Sequence, residues 1–333
     1  MTDTIRKALD GNPLSAEEAE SAFDRFMDGS ASHEEMAALL LELRRRGERP
    51  EEVAGGVRAL RKAMVALDVG DGAIDTCGTG GGTLTTFNIS TAASIVAAAA
   101  GARVAKHGNR SFTSRCGSAD VLEMLGVPIE LGLDDERRMF DETGFVFMYA
   151  PAHHPAMRHV GPVRRELGVT TIMNVLGPLA NPAGVRRQVV GVASADLLDL
   201  VAAALVELGH ERALVVHGEP GLDELSPVGP TRVLKVEGEA IEEASVRPSD
   251  FGWPDYDPSD LAGGEPEGNA GRVRRVVAGE EGGAARAAVV LNAGAALWAA
   301  SVVDDLTAGM RRAEESIDSG AAAWKLDRLR SWS

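Results

Sequence analysis

Three stretches of the chain collect residue types that handle anionic, oxygen-rich ligands. The first is DTCGTGGGTLTTFNIST, in which Gly78, Thr79, Gly80, Gly81 and Gly82 follow a short apolar run and precede a series of hydroxyl and amide side chains. Glycine allows backbone N–H groups to approach an anion closely and accepts unusual backbone angles. A helix beginning around Asn88, Ile89, Ser90 and Thr91 would turn its unpaired N–H groups and positive dipole end toward phosphate oxygens. Taken alone, the stretch reads equally as an anion cradle and as a glycine-rich turn with an N-cap. It fits neither G-x-x-x-x-G-K-[ST] nor G-x-G-x-x-G, since the last position of the latter, counted from Gly78, is Thr83.

The second stretch, RVAKHGNRSFTSRCGSADVLEMLG, places Lys106, His107, Asn109, Arg110, Ser111, Thr113, Ser114 and Ser118 between a β-like run and a helix. A compact positive charge with several hydroxyls and amides suits several phosphate oxygens rather than one. Each serine alone has the alternative of a turn or a cap, and a loop arginine that of pairing with a nearby carboxylate. In the third, VHGEPGLDELS, a strand-like run enters a loop carrying Glu219, Asp223 and Glu224. Beside two polyanion loops these carboxylates would repel a ligand unless a cation lay between. Mg²⁺ suits that place, because it binds through one or two carboxylates plus substrate phosphates.

A fourth stretch, FMYAPAHHPAMRHVGPVRRELGV, is basic. The adjacent His153 and His154 lack the i, i+4 spacing of a zinc pair, which favours packing or hydrogen bonding over metal binding. Pro155 can open a helix on which Arg158 and Arg165 share a face while Arg164 points elsewhere, its planar fork suited to a carboxylate.

The elements that must position these loops fall into two groups. Up to about Leu67, Ser15, Ser32 and Pro50 each precede an amphipathic helical run. Beyond it, AIDTC, ARVAKHG, VPIEL, FVFMYA, RQVVGVA, RALVVHG and TRVLKVEG read as strands alternating with helical stretches. This predicts an α/β protein: a small all-helical domain (1–70, completed by helices near 155–182) and a large α/β domain (71–333) with a mostly parallel central sheet flanked by helices. Residues 245–271, rich in Pro, Gly, Asp and Glu, read as a surface excursion. The 333 residues, 44% of them hydrophobic, suffice for such a core. A net charge of −16 argues against an extended nucleic-acid surface. The opening residues have no apolar signal region and no segment has the apolar length of a membrane span, so a soluble, cytoplasmic protein is expected.

GTGG, FNIST, VAKHGNRS, GSADVLE, PAHHPAM, LGPLANP and the VHGE…LDE loop, in this order, resemble the anthranilate phosphoribosyltransferases, a family with a nucleoside-phosphorylase-like fold. The match is strongest over residues 75–126, 147–182 and 215–226, and LNAGAALW from Leu291 to Trp298 also agrees. The resemblance implies transfer of a phosphoribosyl group to the amine of anthranilate. It implies that phosphoribosyl diphosphate is held by Gly78, Thr79, Gly80, Gly81, Gly82, Thr86, Asn88, Ile89, Ser90 and Thr91. Lys106, His107, Gly108, Asn109, Arg110, Ser111, Phe112, Thr113, Ser114 and Ser118 complete that site. Anthranilate would meet Gly78, Asn109, Arg164, His154 and Pro178. Mg²⁺, as two ions with the diphosphate, would be held through Ser90, Asp223 and Glu224, and the helical domain would mediate a homodimer.

No motif suggests a covalent intermediate. The expected catalysis is positioning and electrostatic, with Mg²⁺ and Lys106 stabilising departing diphosphate while the amine attacks the opposite face, and with His107 as a candidate proton acceptor. A pyrimidine-nucleoside phosphorylase would share the fold, but there the lysine-histidine segment continues differently from KHGNRS. A non-enzymatic, nucleic-acid-binding relative is the third reading, disfavoured by Asp223, Glu224, Arg164 and the acidic charge. One departure stands out: where many relatives read GTGGD, this chain has Gly82.

Overall fold

The computed structural model describes residues 2–111 and 115–332. Four helices open the chain: α1 (Asp3–Leu9), α2 (Ala16–Met27), α3 (His33–Arg46) and α4 (Pro50–Ala63). Their starts follow the local sequence. The Ser15 and Ser32 hydroxyls accept the backbone N–H groups of Glu18 and Glu35, and those glutamates reach back to the serine N–H groups, closing two capping boxes. Glu52, fully buried in α4, accepts the N–H of Leu14 at 2.9 Å and of Arg49 at 3.0 Å and pairs with Arg46. One carboxylate thereby ties the α1–α2 and α3–α4 connections together.

Among the described residues seven strands follow: β1 (Asp75–Gly78), β2 (Val104–Gly108), β3 (Phe145–Tyr149), β4 (Arg187–Gly191), β5 (Arg212–Gly218), β6 (Thr231–Glu237) and β7 (Ala240–Val246). β1, β4 and β5 pair in parallel, and β6 and β7 are added antiparallel. β2 and β3 pair in parallel and join the edge of β1 through the Ile74–Val104 bridge. The remaining helices are α5 (Ile89–Ala99), α6 (Ser118–Leu125), α7 (Leu133–Thr143), α8 (Ala150–His153), α9 (Met157–Leu167) and α10 (Met173–Leu179). They continue with α11 (Leu197–Glu207), α12 (Pro266–Val277), α13 (Gly283–Ala299), α14 (Leu306–Asp318) and α15 (Ala321–Arg330).

Alternation along the strands divides the core in two. Val189, Leu214, Val216 and Val233 face a cluster built with α5 and α12 to α15. Val190, Ala213, Val215 and Leu234 face a second cluster that includes α2, α3, α4, α9, α10 and α11. The helices α5 and α13 are apolar nearly all round because both are enclosed. The N-terminal helices pack against α9, α10 and α11, so residues near 155–182 form part of the same core.

Three sequence expectations differ from what is observed. VPIEL is not a strand: Val127 and Ile129 are buried beside α6 and α7, with no ladder partner. Ala240–Val246 is a strand although its residues are nearly all exposed. An edge strand solvated on both faces carries no period-2 pattern, and its place comes from the ladder with β6. The segment 245–271 is not wholly a surface excursion, because Leu261 is completely buried and the chain beside it bonds to the residues before α5.

Candidate functional site

The carboxyl ends of β1, β2, β4 and β5 converge, as expected for an open α/β sheet. Gly78 ends β1, and Gly80 and Gly81 continue with φ of +66° and +82°, a region that glycine enters without steric cost. Asp223 comes over from the loop after β5, and its Oδ2 accepts the Gly80 N–H at 2.9 Å. A Cβ on Gly78 would lie 2.3 Å from the same oxygen. The neighbouring Glu224 accepts the Ser90 N–H at 3.0 Å at the first turn of α5. Gly78, Gly80, Ser90, Asp223 and Glu224 therefore meet at one point.

Burial raises the pKa of Asp223, and burial followed by the Asp223 charge raises that of Glu224 well above the ordinary carboxylate range. A crowded carboxylate pair favours a proton or a cation. Two carboxylates and a hydroxyl are hard oxygen donors, and among the described residues no group of three or more His, Cys, Asp and Glu completes a protein-only shell. That incomplete set fits Mg²⁺, which leaves positions for water and phosphate oxygens. The cavity lined by Thr76, Cys77, Ser90 and Glu224 is only ≈ 10 Å³, too small for a polyanion.

Lys106 lies under this junction. Its side chain is 2% exposed and its ammonium donates to the Thr76 carbonyl. Its charge opposes the rise of both Asp75 and Glu224. Asp75, which begins β1, is pushed up to about 6 by burial; Lys106 and the hydrogen bonds from Asn181 and the His107 N–H work the other way. Asp75 accepts Asn181 Nδ2 at 2.8 Å and the His107 N–H at 3.2 Å, which locks β1 to β2. Motif reading assigned Asp75 and Asn181 no role, although an aspartate opening a buried strand is a visible signal.

The His107 and His154 rings lie 5.0 Å apart and tilted by 51°. Burial first, then neighbouring positive groups, depresses both, His154 to about 4, so both are neutral near pH 7. The Nε2 atoms of both rings are buried without a partner among the described residues. His153 differs. It donates from Nδ1 to the Val65 carbonyl at 2.7 Å and from Nε2 to Glu136 at 3.0 Å, a structural tether and not a metal ligand.

The other expected residues divide. The Pro178 carbonyl accepts Gln188 Nε2 at 3.0 Å and the Cys77 thiol at 3.5 Å, which places Pro178 against the end of β1. Arg164, half-buried on α9, has its pKa lowered by burial alone, and no carboxylate pairs with it among the described residues. A Cβ on Gly108 would lie 2.2 Å from Ser118 Oγ, and that hydroxyl donates to the Asn109 carbonyl. Thr79 Oγ1 accepts the Ala193 N–H at 3.0 Å, Thr86 bridges Ala262, Ile89 is buried, and the buried Thr91 hydroxyl lacks a partner among the described residues.

Two side chains are spent inside the protein. Arg110 pairs with Asp120 and Glu123 at 3.0 and 2.8 Å, because α6 presents both carboxylates to it. The Ser111 N–H is held by the same Asp120. The Asn88 amide does not cap α5 but bonds Cys116 and Asn269. Phe112, Thr113 and Ser114 lie outside the described residues.

Comparison with known proteins shows the family and the fold. Residues 70–323 match the model of the glycosyl transferase family a/b domain, and residues 2–64 that of its helical bundle domain. The chain is 51% identical over 329 residues to the anthranilate phosphoribosyltransferase of Rubrobacter xylanophilus, covering 99% of this chain and 96% of that one. It superimposes on the crystal structure of anthranilate phosphoribosyltransferase from Thermus thermophilus with a TM-score of 0.94, 44% identity and 99% of each chain covered. The Saccharomyces cerevisiae enzyme in complex with PRPP and Mg gives a TM-score of 0.88 at 27% identity, covering 98% of this chain and 95% of that one.

Proposed function

The chain belongs to the anthranilate phosphoribosyltransferase family and transfers the 5-phosphoribosyl group of phosphoribosyl diphosphate to the anthranilate amine, and we propose that it does so where the glycine loop, the start of α5 and the Asp223–Glu224 loop meet. The products are N-(5-phosphoribosyl)anthranilate and diphosphate, a step of tryptophan biosynthesis. One observation carries the assignment of the site: a half-buried carboxylate pair bonded to the N–H groups of Gly80 and Ser90, crowded enough to take up a cation.

In this reading Asp223, Glu224 and Ser90 hold magnesium, as two ions with the diphosphate. Mg²⁺, when bound, neutralises charge on the departing diphosphate. The N–H groups of residues 78–82 and of the first turn of α5 that Asp223, Glu224 and Gly191 do not already take are donors to the diphosphate, and Asn109, Ser111 and Ser118 frame its far side. Lys106 contributes its charge from beneath the loop through a poorly screened interior. The guanidinium of Arg164, which has no carboxylate partner among the described residues, takes the anthranilate carboxylate, with Pro178, His154 and His107 along the route. The arylammonium formed on attack is strongly acidic, so a neutral, weakly basic His107 suffices as acceptor of its proton.

The division into residues 1–70 and 71–333 belongs to the same proposal, as do a homodimer through the helical domain and a cytoplasmic location. Leu41, 43% exposed on α3, is an apolar contact available to a second copy. No helix among the described residues is long and apolar enough to cross a membrane. The test of function is loss of anthranilate fluorescence on mixing protein, anthranilate, phosphoribosyl diphosphate and Mg²⁺, followed across a Mg²⁺ titration. Unchanged fluorescence together with phosphorolysis of a pyrimidine nucleoside would overturn the assignment.

A further inference from the structure

The segment that looked like a surface excursion clasps the turn before α5. The Phe87 N–H donates to the Leu261 carbonyl and the Gly263 N–H to the Thr85 carbonyl, each at 3.0 Å, and Thr86 and Ala262 form an antiparallel bridge. A Cβ on Gly263 would lie 2.2 Å from the Thr86 carbonyl oxygen, so only glycine permits this approach. The Arg272 guanidinium stands 4.7 Å above the Phe87 ring and donates to the Ala262 carbonyl at 3.1 Å, holding both sides of the clasp.

A polar chain with a fixed direction runs from this clasp into the candidate site. The Gly264 N–H donates to Asn269 Oδ1 at 2.8 Å, which obliges the Asn269 Nδ2 to face outward from that bond. That Nδ2 donates to Asn88 Oδ1 at 3.0 Å. With its oxygen so engaged, Asn88 turns its own Nδ2 to the Cys116 carbonyl at 3.3 Å. Asn269 is 4% exposed and has no route to a ligand itself. Its effect is transmitted: it orients the Asn88 amide, which holds Cys116 and the turn into α6 against the first turn of α5. A directed chain of this kind has one arrangement in which every donor meets an acceptor.

We infer that Asn269 is a positioning residue for phosphoribosyl diphosphate, acting through Asn88 to hold the two phosphate loops in register; the inference rests on the proposed role of those loops. Asn269→Asp keeps the volume and the acceptor for Gly264 but sets an oxygen against Asn88 Oδ1, and Asn269→Ala removes both bonds. The expected result for each is a rise of about ten-fold in KM for phosphoribosyl diphosphate, with KM for anthranilate nearly unchanged. Asn88→Ala combined with Asn269→Ala is expected to be no worse than Asn88→Ala alone. Gly264→Pro, at a position where a Cβ meets nothing within 4 Å, removes the N–H that orients Asn269 and is expected to shift the same KM if the buried variants do not fold. An unchanged KM for phosphoribosyl diphosphate in a folded variant, equal changes in both KM values, or additive effects in the double variant would overturn the inference. Ser90→Ala separates it from the reading beneath it. A raised KM there beside normal Asn269 variants defeats the inference alone, whereas no shift in any variant defeats the assignment of the loops.

Discussion

Asp223 Oδ2 accepts the Gly80 N–H at 2.9 Å and occupies the space that a side chain on Gly78 would need, its distance to such a Cβ being 2.3 Å. The glycine is thus demanded by a carboxylate from a distant loop as much as by any ligand. Gly78→Ala is expected to push Asp223 aside and to lower kcat/KM by about 100-fold, the scale set by a displacement of about 1 Å in a catalytic constellation. A Mg²⁺ titration of the variant that matches the parent would show that the Asp223 position does not matter to the metal.

The acidic pair also predicts a pH dependence of stability. The folded carboxyls of Asp223 and Glu224 bind protons more tightly than they do in the unfolded chain. Wherever the folded state holds more protons, stability falls as pH rises. Ligand-free protein in EDTA should therefore lose thermal stability as pH climbs above the ordinary carboxylate values, 3.8 and 4.5, toward the raised ones. Glu224→Gln should flatten that slope while raising the Mg²⁺ concentration needed for activity. Thermal melts across the pH range, with and without Mg²⁺, measure both.

Arg164 is half-buried with no acidic partner to satisfy it among the described residues. Arg164→Ala should raise KM for anthranilate by about 10- to 100-fold, the worth of a hydrogen-bonded charge contact, and leave that for phosphoribosyl diphosphate nearly constant. Arg164→Lys should recover only part of the loss, since an ammonium cannot offer the two-pronged geometry. Equal effects on both substrates would remove Arg164 from the carboxylate role.

His153 and Glu136 form a buried pair that links the segment after α4 to α7 and α8. Burial works against the His153 charge, but the bonds to Glu136 and Val65 outweigh it, and the pKa is raised. The stabilisation is complete below the ordinary histidine value of 6.5 and is lost as pH rises through the raised one. His153→Ala strands the Glu136 carboxylate and should cost about 3–5 kcal/mol. Denaturant melts at two pH values, one on each side of that transition, would show the difference between variant and parent shrinking at the higher pH.

Gly82 stands where the resemblance to the family leads one to expect an acidic residue. A Cβ there would approach the Gly221 carbonyl oxygen to 2.6 Å, so Gly82→Asp cannot simply restore a carboxylate. It should part the glycine loop from the loop after β5 and raise KM for phosphoribosyl diphosphate. Improved Mg²⁺ affinity in the variant would show that the two loops give way without cost.

Much of this protein was legible in local pattern. Capping serines, helical periodicity and the alternation of apolar runs with helices identify the helical segment, the strands other than β7 and the loops that converge at the carboxyl ends of the sheet, because each signal is local in the chain. The edge strand Ala240–Val246 escaped because its residues are solvated on both faces, and VPIEL misled because burial without a neighbouring strand leaves the same apolar pattern as burial within a sheet.

What the chain's order could not convey was which polar groups remain for a ligand. Lys106 and Asn88 both belong to the motifs, yet the fold buries the first against Thr76 and spends the second on Cys116 and Asn269. Asn269 sits 181 residues from Asn88 in a stretch whose composition suggested only surface. By itself the sequence determined residue types, element types and the family. Tertiary structure decided the pairing of donors with acceptors, because each buried hydrogen-bonding group must find a partner and the one it finds is set by three-dimensional packing, not by nearness along the chain.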